Sequence, residues 1–212
     1  MGIFAPDGKL ARVLNCIGNL IILNILTLIL CLPVITAGAA MTALYTMTMR
    51  MARNEEGNIV REYFRAFKGN FTQATLLWAV FGFIQLFLAF DIYILRTVTG
   101  TFGLVYRILL FVLLLLFAME CIHIFAVQAR FENTPKNTAK NALLFMAGHF
   151  PQAVLMLCVT LSPLLLLSAS FRFISVVFLI GLSGPAYLAG IYFKSIFKAY
   201  EKENTHAQIE RA

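Results

Sequence analysis

The chain is divided by residues 32–45, which read LPVITAGAAMTALY. They lie within a tract from 13 to 49 that has no charged residue and is longer than one membrane span of about 20 residues. Pro33 removes a backbone donor and disfavours helical structure at Leu32, so one unbroken helix is disfavoured. The segment therefore predicts a tight helical hairpin, with span 1 at about 13–32, a turn at 33–36 and span 2 at about 37–53.

The start of span 2 is rich in small side chains. Gly38 and Thr42 are four residues apart, as are Ala39 and Ala43, so each pair shares one face of the helix. In a membrane, such pairs let two helix backbones approach closely. We therefore expect span 2 to pack tightly against a neighbouring helix.

The composition indicates a polytopic membrane protein. Of the 212 residues, 60% are hydrophobic and 13% are charged, whereas soluble domains carry about 25% charged residues. The net charge of +7 would suggest nucleic acid for a soluble protein, but basic loops in a membrane protein report orientation, so we expect no nucleic-acid partner. The four cysteines lie in apolar stretches without C-x-x-C spacing, which predicts packed thiols, and we expect no metal or cofactor.

Residues 58–75 form the longest polar break in the chain. Apolar residues recur there at helical spacing, and three basic residues collect on the other side: Arg61, Arg65 and Lys68. The pattern predicts a short amphipathic helix at about 58–68, ended by Gly69 and lying at the level of the lipid headgroups. Its basic face either contacts lipid headgroups and fixes orientation or docks a partner.

Four more spans are predicted, at about 71–95, 106–128, 149–168 and 173–193. A second short interfacial helix is expected at about 135–147, with Thr134 as its N-cap and Pro135 in its first position. The charged tail at 194–212 is expected to extend into water. The prediction is thus a single all-α membrane domain, a helical bundle of six spans.

Orientation follows from the distribution of Lys and Arg. With six spans, 14 of these residues fall on the side of both termini and 3 on the other, so both termini are expected in the cytoplasm. If the first hairpin were one span followed by a non-spanning helix, the split would be 12 against 5. Six spans are favoured, and five are the alternative.

Part of the polar break recurs later in the chain. Residues 69–76, GNFTQATL, match residues 148–155, GHFPQAVL, and Ala-Arg ends the preceding span in both places. The echo predicts three hairpins related by parallel repetition, at about 13–53, 71–128 and 149–193. Chance similarity within a biased composition is the alternative.

Three segments carry a resemblance to a known family: 32–38 (LPVITAG), 43–45 (ALY) and the F-x-x-F-K-x-N-F-x-Q-A pattern of 64–74. On these residues the chain resembles the YesL family of bacterial membrane proteins, over most of its length and most specifically at 10–80. The resemblance implies a bacterial cell membrane and a role linked to carbohydrate uptake, because members are encoded near sugar uptake and polysaccharide degradation systems. It implies no catalytic residues.

Ionisable residues inside spans are the first candidates for function, because burying charge in hydrocarbon is expensive. Glu120 and His123 are three residues apart on span 4 and are expected to share a face and make contact. They are a hydrogen-bonded packing pair, a proton-coupled or substrate-binding pair, or half of a di-iron site, although the chain offers no second such motif for a metal.

Three further polar residues complete the candidate intramembrane cluster. Asp91 lies near the end of span 3 and is expected to pair with Arg96, Arg107 or Arg172, or else to line the mouth of a pathway. Asn15 and Asn19 are four residues apart on span 1 and predict either a hydrogen-bonded seam between helices or a ligand site.

The function favoured by the sequence is a non-catalytic accessory or regulatory component of a carbohydrate uptake system. Its expected partners are the lipid bilayer and either a transporter subunit or a second copy of the chain. The alternative is a small-solute transporter or channel lined by the polar intramembrane residues. No Walker loop, nucleophile elbow or metalloprotease helix occurs in the sequence, so we do not expect an enzyme.

Overall fold

A computed structural model describes residues 9–55 and 57–194, and these residues form helices and connecting turns without any strand. The helices, in chain order, are α1 (Lys9–Cys31), α2 (Ala37–Ala52), α3 (Ile59–Ile94), α4 (Thr101–Arg130), α5 (Pro135–Gly148), α6 (Phe150–Ala169), α7 (Ile174–Ile180) and α8 (Ser183–Lys194). Single turns of 3-10 helix precede α2, follow α3 and precede α7. The predicted tail, 195–212, lies outside the described residues.

The predicted turn at the start of the chain is confirmed, and it joins two helices. Helix α1 ends at Cys31, a 3-10 turn at Val34–Thr36 follows Pro33, and α2 begins at Ala37. The Thr36 hydroxyl donates to the carbonyls of Leu30 and Pro33, which closes the turn. The turn thus forms where the proline and the missing backbone donor predicted it.

Helix α2 lies at the centre of the bundle, packed against α1, α3 and α4. Its predicted close approach is confirmed at Gly38, where an added Cβ atom would lie 2.5 Å from both the Ala74 carbonyl oxygen and the Trp78 Cβ atom of α3. Gly190 of α8 similarly faces the α2 backbone, since a Cβ there would meet the Thr48 carbonyl carbon at 3.1 Å. Small residues therefore allow α2 to be enclosed on several sides.

The six-span prediction is not confirmed. Within the described residues, four helices are long and apolar enough to cross a membrane: α1, α3, α4 and α6. A fifth span results only if the turn at Phe171–Phe173, α7 and α8, which are bent by 50°, count as one. Helix α2 has 16 residues, about 24 Å, and is therefore shorter than the roughly 30 Å hydrocarbon core. The predicted second span is a short buried helix.

The predicted separate helix at 58–68 is wrong, because Gly69 does not end it. Helix α3 runs unbroken for 36 residues from Ile59 to Ile94, about 54 Å. A glycine inside a helix costs only about 1 kcal/mol relative to alanine. Packing outweighs that cost here: Tyr63 is fully buried, and its hydroxyl is 3.0 Å from the Thr27 hydroxyl.

The second polar break folds as predicted, but the repeat is not confirmed. Thr134 caps α5, where its hydroxyl accepts from the Asn137 backbone nitrogen at 3.4 Å, and Pro135 is the first helical residue. Helix α5 then ends at Gly148, and His149 separates it from α6. The residue that matches His149 in the earlier segment is Asn70, which lies inside α3. The two matching segments therefore adopt different backbone structures.

Candidate functional site

Glu120 and His123 of α4 do not form the predicted pair. The Nδ1 atom of His123 is 2.8 Å from the Met119 carbonyl oxygen one turn earlier, and the imidazole packs edge-on against the Phe193 ring. His123 is only 1% exposed and its Nε2 atom has no hydrogen-bond partner in the described chain. Glu120 is half-buried and makes no hydrogen bond to His123. His123 is thus a packed interior residue.

Asp91 also lacks its predicted ion pair. The Arg96 guanidinium lies 5.5 Å from the centroid of the Tyr93 ring, and Arg107 donates to the Gly103 carbonyl at 3.2 Å. Within residues 9–55 and 57–194, the ion pairs are Arg50–Glu62 and Arg53–Glu55. Arg96 and Arg107 therefore make other contacts, and Asp91 forms no ion pair within the described residues.

The predicted seam on α1 is formed by other residues. Asn15 is exposed and Asn19 is half-buried, so this face does not reach the interior. Further along the helix, Asn24 and Thr27 are fully buried instead. Thr27 contacts Tyr63 of α3, and Asn24 contacts the break between α7 and α8.

Asn24 holds this break with both ends of its amide. Its Oδ1 atom accepts hydrogen bonds from the backbone nitrogens of Leu182, at 2.7 Å, and Ser183, at 3.0 Å. Its Nδ2 atom donates to the carbonyls of Phe178, at 2.6 Å, and Val177, at 3.4 Å. The side chain therefore serves the Phe178 carbonyl near the end of α7, the Leu182 nitrogen in the break and the first nitrogen of α8, groups that a broken helix leaves without helical partners.

The break is a feature that sequence reasoning missed, and two signals mark it. Gly181 and Gly184 interrupt an apolar run, and Pro185 is tolerated only because it falls in the first turn of α8. An asparagine that is fully buried in an apolar helix needs partners, and an unwound backbone supplies them. Read together, these signals would have predicted the bend.

The first helical turns of α3 carry the predicted basic face. Arg61, Arg65 and Lys68 are all exposed, and Asn58 caps the helix by accepting from the Arg61 backbone nitrogen at 3.0 Å. Behind this face lies a network of amides and hydroxyls that joins α3, α4 and α5. Gln128 donates to Asn70 at 3.0 Å and accepts from Thr138 at 3.3 Å, while Gln73 donates to the Asn133 carbonyl at 2.8 Å. The network is structural, since its members satisfy one another.

An apolar groove of about 600 Å³ runs along the outer face of α3. One wall is the turn before α2, with Val34 and Ile35, and the other is Leu114 of α4. Trp78 fastens the first wall, because its indole nitrogen donates to the Val34 carbonyl at 2.8 Å. The floor is formed by α3 residues: Thr75, Ala79, Gly82, Phe83, Gln85, Leu86 and Ala89.

The groove floor has open space and one unsatisfied polar atom. A Cβ atom added at Gly82 would meet nothing within 4 Å. The Thr75 hydroxyl is buried and finds no hydrogen-bond partner in the described residues. The small residues of this face repeat along α3, and that repeat is the signal in the sequence that could have revealed the groove.

The long apolar helices and the absence of strands from the described residues define a helical membrane protein. Residues 20–92 of the chain match the family described as "Protein of unknown function, DUF624". The match runs from α1 through α2 and nearly to the end of α3, so it includes Asn24 and the groove floor. No curated protein and no solved structure matches the chain.

Proposed function

We propose that this protein is a non-catalytic accessory or regulatory component of the membrane, and that it binds a membrane-spanning helix of a partner protein. The observation that supports the proposal is the apolar groove along α3. Its floor lies within residues 71–90, which contain no charged residue and which we place in the hydrocarbon. At that depth a protein ligand must be helical, because hydrocarbon cannot satisfy an irregular backbone.

The spacing of the floor residues fits a helix as the occupant. Thr75, Ala79, Gly82, Leu86 and Ala89 follow one another at intervals of four, three, four and three residues. This repeat averages 3.5 residues, which is the period that lets two helices cross at a shallow left-handed angle of about 20°. Four of the five side chains are small, and small residues drive helix association in membranes because they permit close backbone contact.

The class of partner rests on the resemblance to the YesL family. That resemblance implies a role in carbohydrate uptake, so we propose a membrane subunit of a carbohydrate transporter in a bacterial cell membrane as the partner. A second copy of the chain is the competing occupant. Because α2 is too short to span the membrane, the distribution of basic residues supports the five-span alternative, with the basic face of α3 and the C-terminus in the cytoplasm and a split of 12 against 5. The expected cytoplasmic N-terminus would require α2 to span as well.

A small-solute carrier is the second candidate, and the α7–α8 break is the observation that favours it. Discontinuous helices build substrate and ion sites in many transporters. Asn24, however, already occupies the groups that such a break exposes, and His123 is packed against Phe193. The accessory function therefore has the stronger support. Catalysis has less support than either, because His123 bonds to a carbonyl of its own helix and makes no hydrogen bond to Glu120.

Co-purification in mild detergent tests the proposal with a matched pair of variants. Gly82→Leu fills the groove, and Gly18→Leu adds the same bulk on α1, where a Cβ atom also meets nothing within 4 Å. We expect a transporter membrane subunit to co-purify in stoichiometric amount with wild type and with Gly18→Leu, and at least about tenfold less with Gly82→Leu, a loss of about 1.4 kcal/mol. Equal recovery from both variants, or a protein that repeatedly purifies alone, would count against it.

A further inference from the structure

Glu120 places a carboxyl group deep inside the apolar part of α4. It lies 13 residues after Arg107 and 10 residues before Arg130, which corresponds to about 20 Å and about 15 Å along the helix. The residues between these two arginines include no other Asp, Glu, Lys or Arg. Because the hydrocarbon core is about 30 Å thick, Glu120 lies near the middle of the membrane.

This carboxyl group has no partner within residues 9–55 and 57–194. The ion pairs of this part of the chain involve Glu62 and Glu55, and Glu120 takes part in neither of them. It also accepts no hydrogen bond there, and the imidazole of His123 bonds to a backbone carbonyl instead. A charged side chain in hydrocarbon is costly unless it is paired. The described chain therefore leaves Glu120 in need of a partner.

Glu120 stands at the end of an apolar face of α4. Four residues precede it at intervals of four, three, four and four, which places them on one side of the helix: Val105, Leu109, Val112 and Leu116. We call these four residues the α4 stripe. Val105 is 59% exposed, Leu109 is 52% exposed and Val112 is 45% exposed, while Leu116 and Glu120 are half-buried. The described helices thus leave the stripe open.

Beyond Glu120, helix α4 enters the interior of the bundle. Residues 121–128 are all buried, so Glu120 lies where the open face of α4 meets the packed interior. The stripe is also separate from the groove along α3. Leu114, which forms the groove wall on α4, is six residues before Glu120 and therefore about 120° away around the helix axis. A helix could lie on the stripe without entering the groove.

We propose that the α4 stripe and Glu120 bind a membrane-spanning helix of another protein, and that this helix carries a lysine or arginine near its middle. The stripe supplies the apolar contact surface, and the Glu120 carboxylate pairs with the cation. Ionisable groups inside membranes pair in this way with groups of opposite charge. A single buried ion pair also fixes the register of the docked helix.

A second copy of the chain does not fit this site, because it has no lysine or arginine at the required depth. All 17 of these residues lie outside the long apolar runs, which are 13–49, 69–95, 108–129, 141–171 and 173–193. His123, the histidine inside a span, is packed against Phe193. The occupant is therefore a different protein, and the site does not depend on the partner proposed for the groove.

The test uses the purified full-length protein in phosphatidylcholine vesicles and synthetic leucine–alanine helices of about 20 residues as probes. The helices are identical except for one central residue, which is lysine, leucine or glutamate, and energy transfer measures their binding. We expect the lysine helix to bind at least about tenfold tighter than the leucine helix. Glu120→Gln should abolish this preference. Glu132→Gln, which removes an exposed carboxylate just beyond α4, should change it less than about twofold.

Charge reversal gives a variant with the opposite expected sign. Glu120→Lys should bind the glutamate helix at least about tenfold tighter than the lysine helix. Gly82→Leu fills the groove and should leave the affinity for the lysine helix within about twofold, so failure of the groove proposal and failure of this site can be told apart. Equal binding of all three helices by wild type, or a lysine preference that persists in Glu120→Gln, would overturn the proposal.

Discussion

The Oδ1 atom of Asn24 lies 2.7 Å from the backbone nitrogen of Leu182, so one side chain of α1 closes a gap in a helix 158 residues further along the chain. The contact links the first helix to the last part of the described fold. Because Asn24 is fully buried, water cannot replace it. The bend between α7 and α8 therefore depends on this amide.

Replacing Asn24 with leucine should destabilise the protein by about 2–4 kcal/mol. The change keeps the size of the side chain but leaves two backbone nitrogens and the Phe178 carbonyl without partners, and each buried unsatisfied group costs about 1–3 kcal/mol. The free energy of unfolding in detergent measures the effect. Asn15→Leu is the control, since Asn15 is exposed on the same helix and should change stability by less than about 0.5 kcal/mol. Equal effects of the two substitutions would contradict the role of Asn24.

Gly38→Ala should destabilise the packing of α2 on α3 by about 1–3 kcal/mol. The new methyl group would lie 2.5 Å from the Ala74 carbonyl oxygen, so the backbone of one of the two helices must move. Gly18→Ala adds the same methyl group to open space on α1 and should not destabilise the protein. Thermal unfolding of the two variants in the same detergent makes the comparison. A Gly38→Ala protein as stable as Gly18→Ala would show that α2 and α3 are not in close contact.

Gly69→Ala distinguishes a continuous α3 from a helix that ends at residue 69. Inside a helix, and with nothing within 4 Å of an added Cβ atom, alanine should stabilise the protein by about 0.5–1 kcal/mol. At a helix end, where glycine commonly adopts a left-handed conformation, the same substitution would destabilise it. The sign of the change in unfolding free energy therefore decides between the two structures.

Local signals in the sequence predicted several elements well. Pro33 marked the first turn, Thr134 and Pro135 marked the start of α5, and the small residues after Gly38 marked the close approach of α2. Each of these features depends on backbone chemistry within a few residues. Such effects are visible in a single sequence.

The misjudged features depend on contacts between distant segments. Gly69 was predicted to end a helix because the free-energy cost of glycine in a helix is visible in the local sequence. The burial of Tyr63, which outweighs that cost, comes from tertiary packing. Glu120 and His123 have the spacing of a contacting pair on a helix. The imidazole of His123 bonds instead to a carbonyl of its own helix. Asn24 gains its role from a backbone break 158 residues away, which no periodicity on α1 reveals.

The most direct test of the central proposal is photo-cross-linking from the groove in native membranes. A photoreactive amino acid replaces Leu86, which lines the groove, or Leu76, an exposed leucine of the same helix outside it. We predict a discrete adduct with a transporter membrane subunit from position 86, at least about tenfold stronger than from position 76. An adduct with a second copy of the chain would place a homodimer in the groove and contradict the transporter partner. Lipid adducts alone from both positions would contradict a helix-binding groove.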